Sequence, residues 1–420
     1  MESLSTQSGN LGTPSAMSPA PATQHERVLV LDVLRGIALL GILMVNMGDF
    51  QLLRSPIGGY IEAPNRVEYW LASLVQILFD GKFYPIFSLL FGVGLALQIA
   101  RLEARGRPAT GIMVRRLLVL LVMGALHAIF IWRGDILFVY ALIGLLALLF
   151  QRCQPRTLLW WSGGLWLSLF LCCTVPCAGY GLLVSGTQSA EMENILAEME
   201  QETLKDREAY LTESYLEVLP KRVRDWGYVL ASLLIAFPEI LMLFLLGIYF
   251  SKIGLFTEPW AHARVLRWML VGLPIGLLAS FMYNSSLWAS TLNGNWGALF
   301  IALAVYVSLT WLQAMGYVAL LLMVWERWAW FRALLTPLAY AGRMALTNYL
   351  MQSVVCTMIF YGYGLELAKN ATVAQGIALT FGIYLAQVIL SALWLRGFQY
   401  GPMEWLWRVL TYGRWIPIRS

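Results

Sequence analysis

Long apolar runs separated by short polar, often arginine-bearing connections dominate the chain. Ten of them are of the length a bilayer crossing requires, several at the short end of the ~20-residue norm. They are Val28–Met47, Tyr84–Ala100, Leu117–Trp132, Asp135–Phe150 and Leu158–Val184, then Tyr228–Phe250, Trp268–Tyr283, Ala298–Trp325, Met344–Tyr361 and Ala374–Leu395. A further run, Val67–Phe79, is one short helix long, which suits an interfacial or re-entrant segment. The pattern predicts an all-α fold, a polytopic transmembrane helix bundle of about ten spans.

Composition agrees with the pattern. Hydrophobic residues make up 59% of the 420 and charged residues 13%, against about half and a quarter in soluble domains. Many of the 18 Trp and 19 Tyr fall at the ends of apolar runs, as in an interfacial belt. Residues 1–26 are rich in Ser, Thr, Pro, Ala and Gln, with no basic start and no early apolar stretch. They predict a disordered cytoplasmic tail rather than a signal peptide, so the first run is expected to stay as an anchor.

Charge sets the orientation. With ten spans and a cytoplasmic N-terminus, 19 of the 29 Lys and Arg fall in inside segments and 10 outside. Five of those ten, Lys205, Arg207, Lys221, Arg222 and Arg224, share one long loop, where the positive-inside rule counts least. Reading Ala298–Trp325 as two helices would move seven inside cations out, so a single helix is expected. The predicted layout is a membrane half at 27–185, an external loop at 186–227 and a second membrane half at 228–420. Both termini are expected in the cytoplasm of a bacterium, with the chain in its inner membrane. The external loop alternates acidic residues with Leu, Met, Ile and Tyr at helical spacing, which predicts an amphipathic helical hairpin: a spacer, or a lid over a membrane cavity.

The net charge of +5 comes from orienting loop cations and does not imply nucleic acid. Cys172, Cys173 and Cys177 cluster without His or acid nearby, which favours apolar packing over a metal or redox site. Gly92-x-Gly94 suits helix packing. Nucleotide-binding glycine loops, metal-ligand clusters and a Gly-x-Ser-x-Gly elbow are lacking.

Candidate chemistry therefore rests on polar groups at membrane depth, which are costly and mark functional sites by default. Asp32 and Arg35 share a face at i, i+3, as an anchoring ion pair or the mouth of a site, and Asn46 lies three turns further along that face. His127 is the one His within an apolar run, a structural core His or an acid–base group. Asp135, in the turn Trp132-Arg133-Gly134-Asp135, is placed to cap the next helix or to return and orient His127. Glu239 follows the kinking Pro238 in mid-span, suggesting a cavity or a protonated structural carboxyl. Arg343, Thr347, Asn348 and Gln352 give the ninth span a polar face at i, i+4 spacings, and Asp80-Gly81-Lys82 breaks the chain before the second span. Arg116 precedes His127 by eleven residues, about 16 Å along a helix. With Arg101, Arg105, Arg107 and Arg115 it forms a cluster suited to phosphates, although positive-inside topology alone also accounts for those cations.

Several stretches resemble the YeiB family of bacterial membrane proteins, whose C-terminal half is a domain of unknown function. They are RVLVLDVLRGIALLGILMVN (27–46), DGKFYPIFSLLFGVG (80–94) and RRLLVLLVMGALHAIFIWRGDILFVYALIG (115–144), followed by LLGIYFSKIGLF (245–256), GRMALTNYLMQS (342–353) and GPMEWLWRVLTYG (401–413). Through the Leu-Asp-x-x-Arg-Gly opening, the span count and the intramembrane His, that family is distantly similar to transmembrane acyltransferases, including the heparan-glucosaminide acetyltransferase group. The resemblance implies an acyl-CoA (acetyl-CoA) co-substrate on the cytoplasmic side and an external glycan or lipid-linked acceptor, with no metal. His127 would then be the base and Asp135 its orienting partner, with Asp32, Arg35, Asn46, Arg116, Glu239, Arg343, Asn348 and Gln352 binding substrates. The alternatives are a transporter or flippase without covalent chemistry, and a structural or sensory membrane protein. Besides the bilayer, a homodimer is an expected partner state.

Overall fold

A computed structural model describes residues 24–54, 65–184, 190–212, 214–293 and 296–419. Residues 1–23 of the expected tail, residue 185 at the end of the expected first half, and residues 186–189 and 213 of the expected external loop lie outside these. The described chain is helical throughout and contains no strand, only one isolated bridge between Phe398 and Arg419. The first membrane half comprises α1 (Gln24–Phe50), α2 (Arg66–Leu78), α3 (Phe83–Ala104), α4 (Ala109–Phe130), α5 (Leu137–Ala147), α6 (Pro155–Leu169) and α7 (Val175–Val184). Helix α8 (Ala190–Thr212) leads into α9 (Tyr215–Ile253), then α10 (Ala263–Asn293), α11 (Trp296–Arg327), α12 (Ala329–Leu335) and α13 (Leu338–Arg343). The chain ends in α14 (Ala345–Phe360), α15 (Val373–Trp394) and α16 (Pro402–Tyr412).

Among the described residues eight helical segments are long and apolar enough to cross a membrane, and two shorter apolar helices, Leu137–Phe150 and Ala345–Phe360, accompany them. The protein is a multi-pass membrane protein built as an all-α bundle. Its outer faces are apolar: Leu118, Val122, Leu126 and Phe130 repeat every fourth residue along α4 and are exposed, the spacing of one helix face. Its interior holds polar groups instead, among them Ser88, His127, Asp135, Gln313, Asn348 and Gln352. Facing apolar side chains outward and polar ones inward suits a lipid surround.

One expectation about helix extent holds and another shifts. The run Ala298–Trp325 lies in a single helix, α11. The span expected at Tyr228–Phe250 begins at Tyr215, because a capping box formed by Ser214 and Glu217 starts a helix that continues through Pro220 and Pro238 to Gly254. The hairpin expected outside the membrane is therefore α8 tied by Asp206 to Lys221 and Arg224 in the first turns of α9, with no break before the span. Gly254 ends α9 at φ +79°, a left-handed cap that suits glycine.

Close helix contacts position the interior. A Cβ on Gly92 of α3 would lie 2.2 Å from the carbonyl of Phe244 on α9, and one on Gly247 would lie 2.1 Å from that of Leu89. Likewise a Cβ on Gly342 would meet the carbonyl of Asp32 at 1.9 Å. Glycine lets α3 meet α9 and lets α13 meet α1 backbone to backbone. The second contact carries Arg343 to the start of α1, beside Asp32.

Candidate functional site

Among the described residues two cavities in the bundle hold candidate residues. The larger, about 620 Å³, opens where α1, α4 and α14 begin and α3 ends. Arginines come to it from five helices and a turn: Arg35, Arg101 and Arg105 from α1, α3 and the turn after α3, Arg116 from α4, Arg343 from α13 and Arg408 from α16. Asp32 and Glu404 are the only carboxylates in its lining. Among the described residues only Arg35 has a carboxylate partner within ion-pair distance, Asp32 Oδ1 at 2.6 Å. Helix α16 is fastened across the mouth. Glu404 accepts from the backbone N–H groups of Leu346 and Thr347 at 2.7 and 3.1 Å and from the Thr347 hydroxyl at 2.6 Å. The Arg116 guanidinium stacks 3.4 Å from the centre of the Trp407 ring, whose N–H donates to the Arg116 carbonyl. Deeper in, the lining turns apolar, through Leu39, Ile42, Phe87, Phe91 and Leu120 to Ile136, Tyr140 and Tyr349.

Ile42, Ile136 and Tyr349 also line the second cavity, of about 320 Å³. These three side chains form the wall between the two. Asn46, Asp80, Tyr84, Glu239, Tyr306 and Thr310 complete the polar lining beyond it. Tyr84 donates to Glu239 Oε2 at 2.8 Å. Tyr349 donates to the Gly134 carbonyl and its oxygen accepts from Ile136 N–H, both at 3.3 Å, which fixes the turn holding Asp135.

His127 and Asp135 meet behind that wall. His127 Nδ1 lies 2.7 Å from Asp135 Oδ2, with both side chains almost fully enclosed. Asp135 Oδ1 also accepts from Phe138 N–H at 2.8 Å, so one carboxylate both caps α5 and holds the imidazole. An ionised carboxylate only accepts, which puts the hydrogen on Nδ1 and leaves Nε2 as the lone-pair nitrogen. Nε2 is buried and meets no hydrogen-bond partner among the described residues. His127 lines neither cavity; its ring stands 5.3 Å from that of Tyr349, which lines both.

The structure thus gathers Asp32, Arg35, Arg116 and Arg343 in the first cavity, Asn46 and Glu239 in the second, and His127 with Asp135 beside their shared wall. Asn348 and Gln352 line neither. Asn348 donates to Ala341 O and Ser391 Oγ, and Gln352 to Gln387 Oε1 at 2.9 Å, tying α14 to α13 and α15. Tyr349, Glu404 and Arg408 were not among the candidates read from sequence. For Glu404 and Arg408 a signal existed, the amphipathic stretch at 401–413. For Tyr349 there was none, since a Tyr in an apolar run reads as belt or core.

At the opposite end the helical hairpin closes over α4. Arg222 of α9, 1% exposed, donates to the Phe130 carbonyl at 3.0 Å and to the Tyr363 hydroxyl at 2.6 Å. Tyr215 donates to the same carbonyl. Asp225 collects Arg133 at 3.1 Å, the Tyr210 hydroxyl at 2.9 Å and Lys221 at 3.6 Å, and Lys221 also pairs with Asp206 of α8. Among the described residues no group of His, Cys, Asp and Glu comes together as a metal site.

Comparison with known proteins places this arrangement among relatives. Residues 250–414 match the family described as Protein of unknown function (DUF418). The chain is 35% identical over 416 residues to a Bacillus subtilis protein printed as uncharacterized protein YxaH, covering 95% of this chain and 97% of that one. It is 29% identical over 398 residues to uncharacterized protein YeiB of Escherichia coli, covering 92% and 96%. A Bacillus acidopullulyticus protein, named for its position in an amylase 3' region, is 30% identical over 399 residues, covering 95% and 97%. No solved structure matches.

Proposed function

The chain belongs to the YeiB family of membrane proteins with a C-terminal DUF418 domain, and from that premise we propose that it is a transmembrane acyltransferase. It takes an acyl group from acyl-CoA held in the arginine-lined cavity and passes it to an acceptor hydroxyl or amine entering from the other end of the bundle. The observation that carries this is the composition of the larger cavity. Five arginines without a carboxylate partner at its mouth suit the phosphates of a nucleotide thioester. The apolar passage beyond them suits a pantetheine arm and acyl chain, and it ends at the wall behind which His127 and Asp135 sit.

In the reaction the acceptor oxygen or nitrogen bonds to the thioester carbonyl carbon, the C–S bond breaks, and the CoA thiolate leaves. The acceptor's proton passes to His127 Nε2 and from there to the departing sulfur, so no net proton is produced. Asp135 keeps the imidazole in the required tautomer. Because Tyr349 covers the dyad, its ring must move aside for Nε2 to reach the reacting atoms. On the expected topology the arginine-lined mouth faces the cytoplasm, where acyl-CoA is found, and the hairpin faces outward.

A second reading, a transporter or flippase, draws on the wall itself. Two cavities near opposite ends, separated by one layer of side chains, also describe a path with alternating access. Radiolabelled acetyl-CoA given to purified protein in vesicles separates the two. Transfer predicts saturable binding and label recovered covalently on an acceptor from a membrane extract. Failure of acetyl-CoA to bind would remove the acyltransferase, while solute moved unmodified across the vesicle would favour the transporter.

A further inference from the structure

The second cavity has a donor and acceptor inventory that selects its ligand. Its tyrosine hydroxyl hydrogens are committed: Tyr84 donates to Glu239 Oε2, Tyr306 to the Asp80 carbonyl at 2.8 Å, and Tyr349 to the Gly134 carbonyl. The nearby cations are committed as well. Arg54 pairs with Asp80 at 3.1 Å, and Lys82, fully buried, donates to the Gln76 carbonyl at 3.0 Å. Beside the neutral Thr310 hydroxyl and Asn46 amide, what remains on the lining is carboxylate capacity to accept. Glu239 is 7% exposed, lines the cavity, and its Oε1 meets no donor among the described residues. A buried carboxylate oxygen without a donor is costly, and a ligand that donates to it removes that cost. An anion finds no uncommitted cation here and meets two carboxylates, Asp80 and Glu239.

We propose that this cavity binds a headgroup that donates hydrogen bonds, a hydroxyl or an ammonium, with Glu239 Oε1 as its anchor and the Tyr84 and Tyr306 rings as its walls. The binding preference stands by itself. That the bound group is the acyl acceptor rests on the acyltransferase reading, and the donating O–H or N–H is then the nucleophile. It lies one side chain away, across Tyr349, from both the apolar end of the acyl-CoA cavity and the His127 dyad.

Small thiol reagents test the preference without knowledge of the natural ligand. Asn46→Cys puts a thiol on the lining, with wild-type protein as the blank for its five cysteines, and Thr310→Cys serves as a second reporter in case the first variant fails to fold. Methanethiosulfonates bearing an ethylammonium, a hydroxyethyl or an ethylsulfonate group are compared, each rate divided by that for a free thiol in solution. The expected result is modification by the ammonium or hydroxyethyl reagent at least 10-fold faster than by the sulfonate. If the ligand is an ammonium, Glu239→Gln removes the advantage of that reagent. If it is a hydroxyl, the hydroxyethyl reagent leads, and Glu239→Leu, which cannot accept, removes its advantage. A sulfonate rate equal to the others, rates indifferent to both changes at Glu239, or no modification at either reporter position would overturn the proposal. Acetyl-CoA binding measured on the same variants keeps the two ideas apart: its absence sinks acyl transfer and leaves the cavity preference to be judged on its own rates.

Discussion

The two ends of this bundle are both rich in charge, and they use it differently. Towards the hairpin most cations meet anions: Arg133, Lys221 and Asp225 form one network and Arg54 pairs with Asp80, while Arg222 is held by a carbonyl and a hydroxyl. At the arginine-lined mouth six guanidinium groups face two carboxylates, and one ion pair forms. Matched ions hold elements together, because a buried charge is tolerated when paired. Unmatched ones around a cavity of this size are available to a ligand. The contrast teaches that charge removed at the hairpin end should cost stability, and charge removed at the open mouth should cost binding.

One pair breaks the contrast. His127 and Asp135 are as enclosed as anything under the hairpin, yet the imidazole keeps an unpartnered nitrogen. If the pair only holds α4 to the start of α5, His127→Ala should lower the melting temperature and do little else. If it is the base, the variant should accumulate and bind acetyl-CoA normally while transfer falls by about 10²–10⁴-fold, the usual worth of acid–base catalysis. Single-turnover transfer of labelled acetyl groups reads the difference. Unchanged transfer would return the dyad to the structural side.

The next largest effect should come from Asp225, 5% exposed. Asp225→Ala leaves Arg133, Lys221 and the Tyr210 hydroxyl without their common partner. Removing one member of a buried ionic cluster costs about 3–5 kcal/mol. The low end is expected here, since the Arg133 side chain keeps 35% of its exposure. Thermal unfolding in detergent should show the loss, with acetyl-CoA affinity of the folded fraction unchanged. An affinity that dropped with stability would mean that the two ends are not separable.

The extent to which sequence foretold this follows from the range over which each signal acts. The spans were legible because a bilayer demands a continuous apolar run, and such a run is local. The pairs Asp32–Arg35 and His127–Asp135 were legible for the same reason, one by i, i+3 spacing and the other across a tight turn. The wall formed by Ile42, Ile136 and Tyr349 was not, because it assembles three segments far apart in the chain. The polar face expected of the ninth span, which the structure divides between α13 and α14, shows a second limit. Spacing predicts that Arg343, Asn348 and Gln352 point inward. It does not distinguish a residue that lines a cavity, as Arg343 does, from residues that bond neighbouring helices, as Asn348 and Gln352 do. The start of α9 at Tyr215 was hidden by Pro220, which reads as a helix breaker until a capping box four turns of chain earlier than the span is recognised as its beginning.

At the mouth, Arg116→Ala should weaken acetyl-CoA binding by about 10–100-fold, the equivalent of a charge-assisted hydrogen bond worth ~1.5–3 kcal/mol. The melting temperature should move little, since the guanidinium has no carboxylate partner to leave behind. Loss of the Trp407 stacking contact is the structural component, and Arg116→Lys separates it: lysine keeps the charge and gives up the planar stack. Recovery of binding with lysine would assign the effect to charge. Equal affinity in wild type and Arg116→Ala would mean that this arginine serves topology alone.

The smallest expected effect tests whether the arginines at the mouth are free. Burial pushes the Glu404 carboxyl above its ordinary value of 4.5, and the Thr347 hydroxyl and backbone N–H groups pull it back only in part. An arginine engaged with this carboxylate would have held it down instead. The sign of the linkage follows. A carboxyl with a raised value in the fold binds its proton more tightly there than in the unfolded chain. Its contribution is therefore fullest below pH 4.5 and is lost as pH climbs through the folded value, with a slope of at most about 1.4 kcal/mol per pH unit. Carboxylates elsewhere act in the opposite direction, so the readout is the difference between wild type and Glu404→Gln, whose amide oxygen can still accept from Leu346 and Thr347. The wild type should lose stability relative to the variant as pH rises from 4.5, and the gap should level off once the carboxyl is ionised in the fold. A gap that widened in the other sense, with the wild type gaining on the variant as pH rises, would show that Glu404 is held ionised by an arginine, and the mouth would then be another matched end.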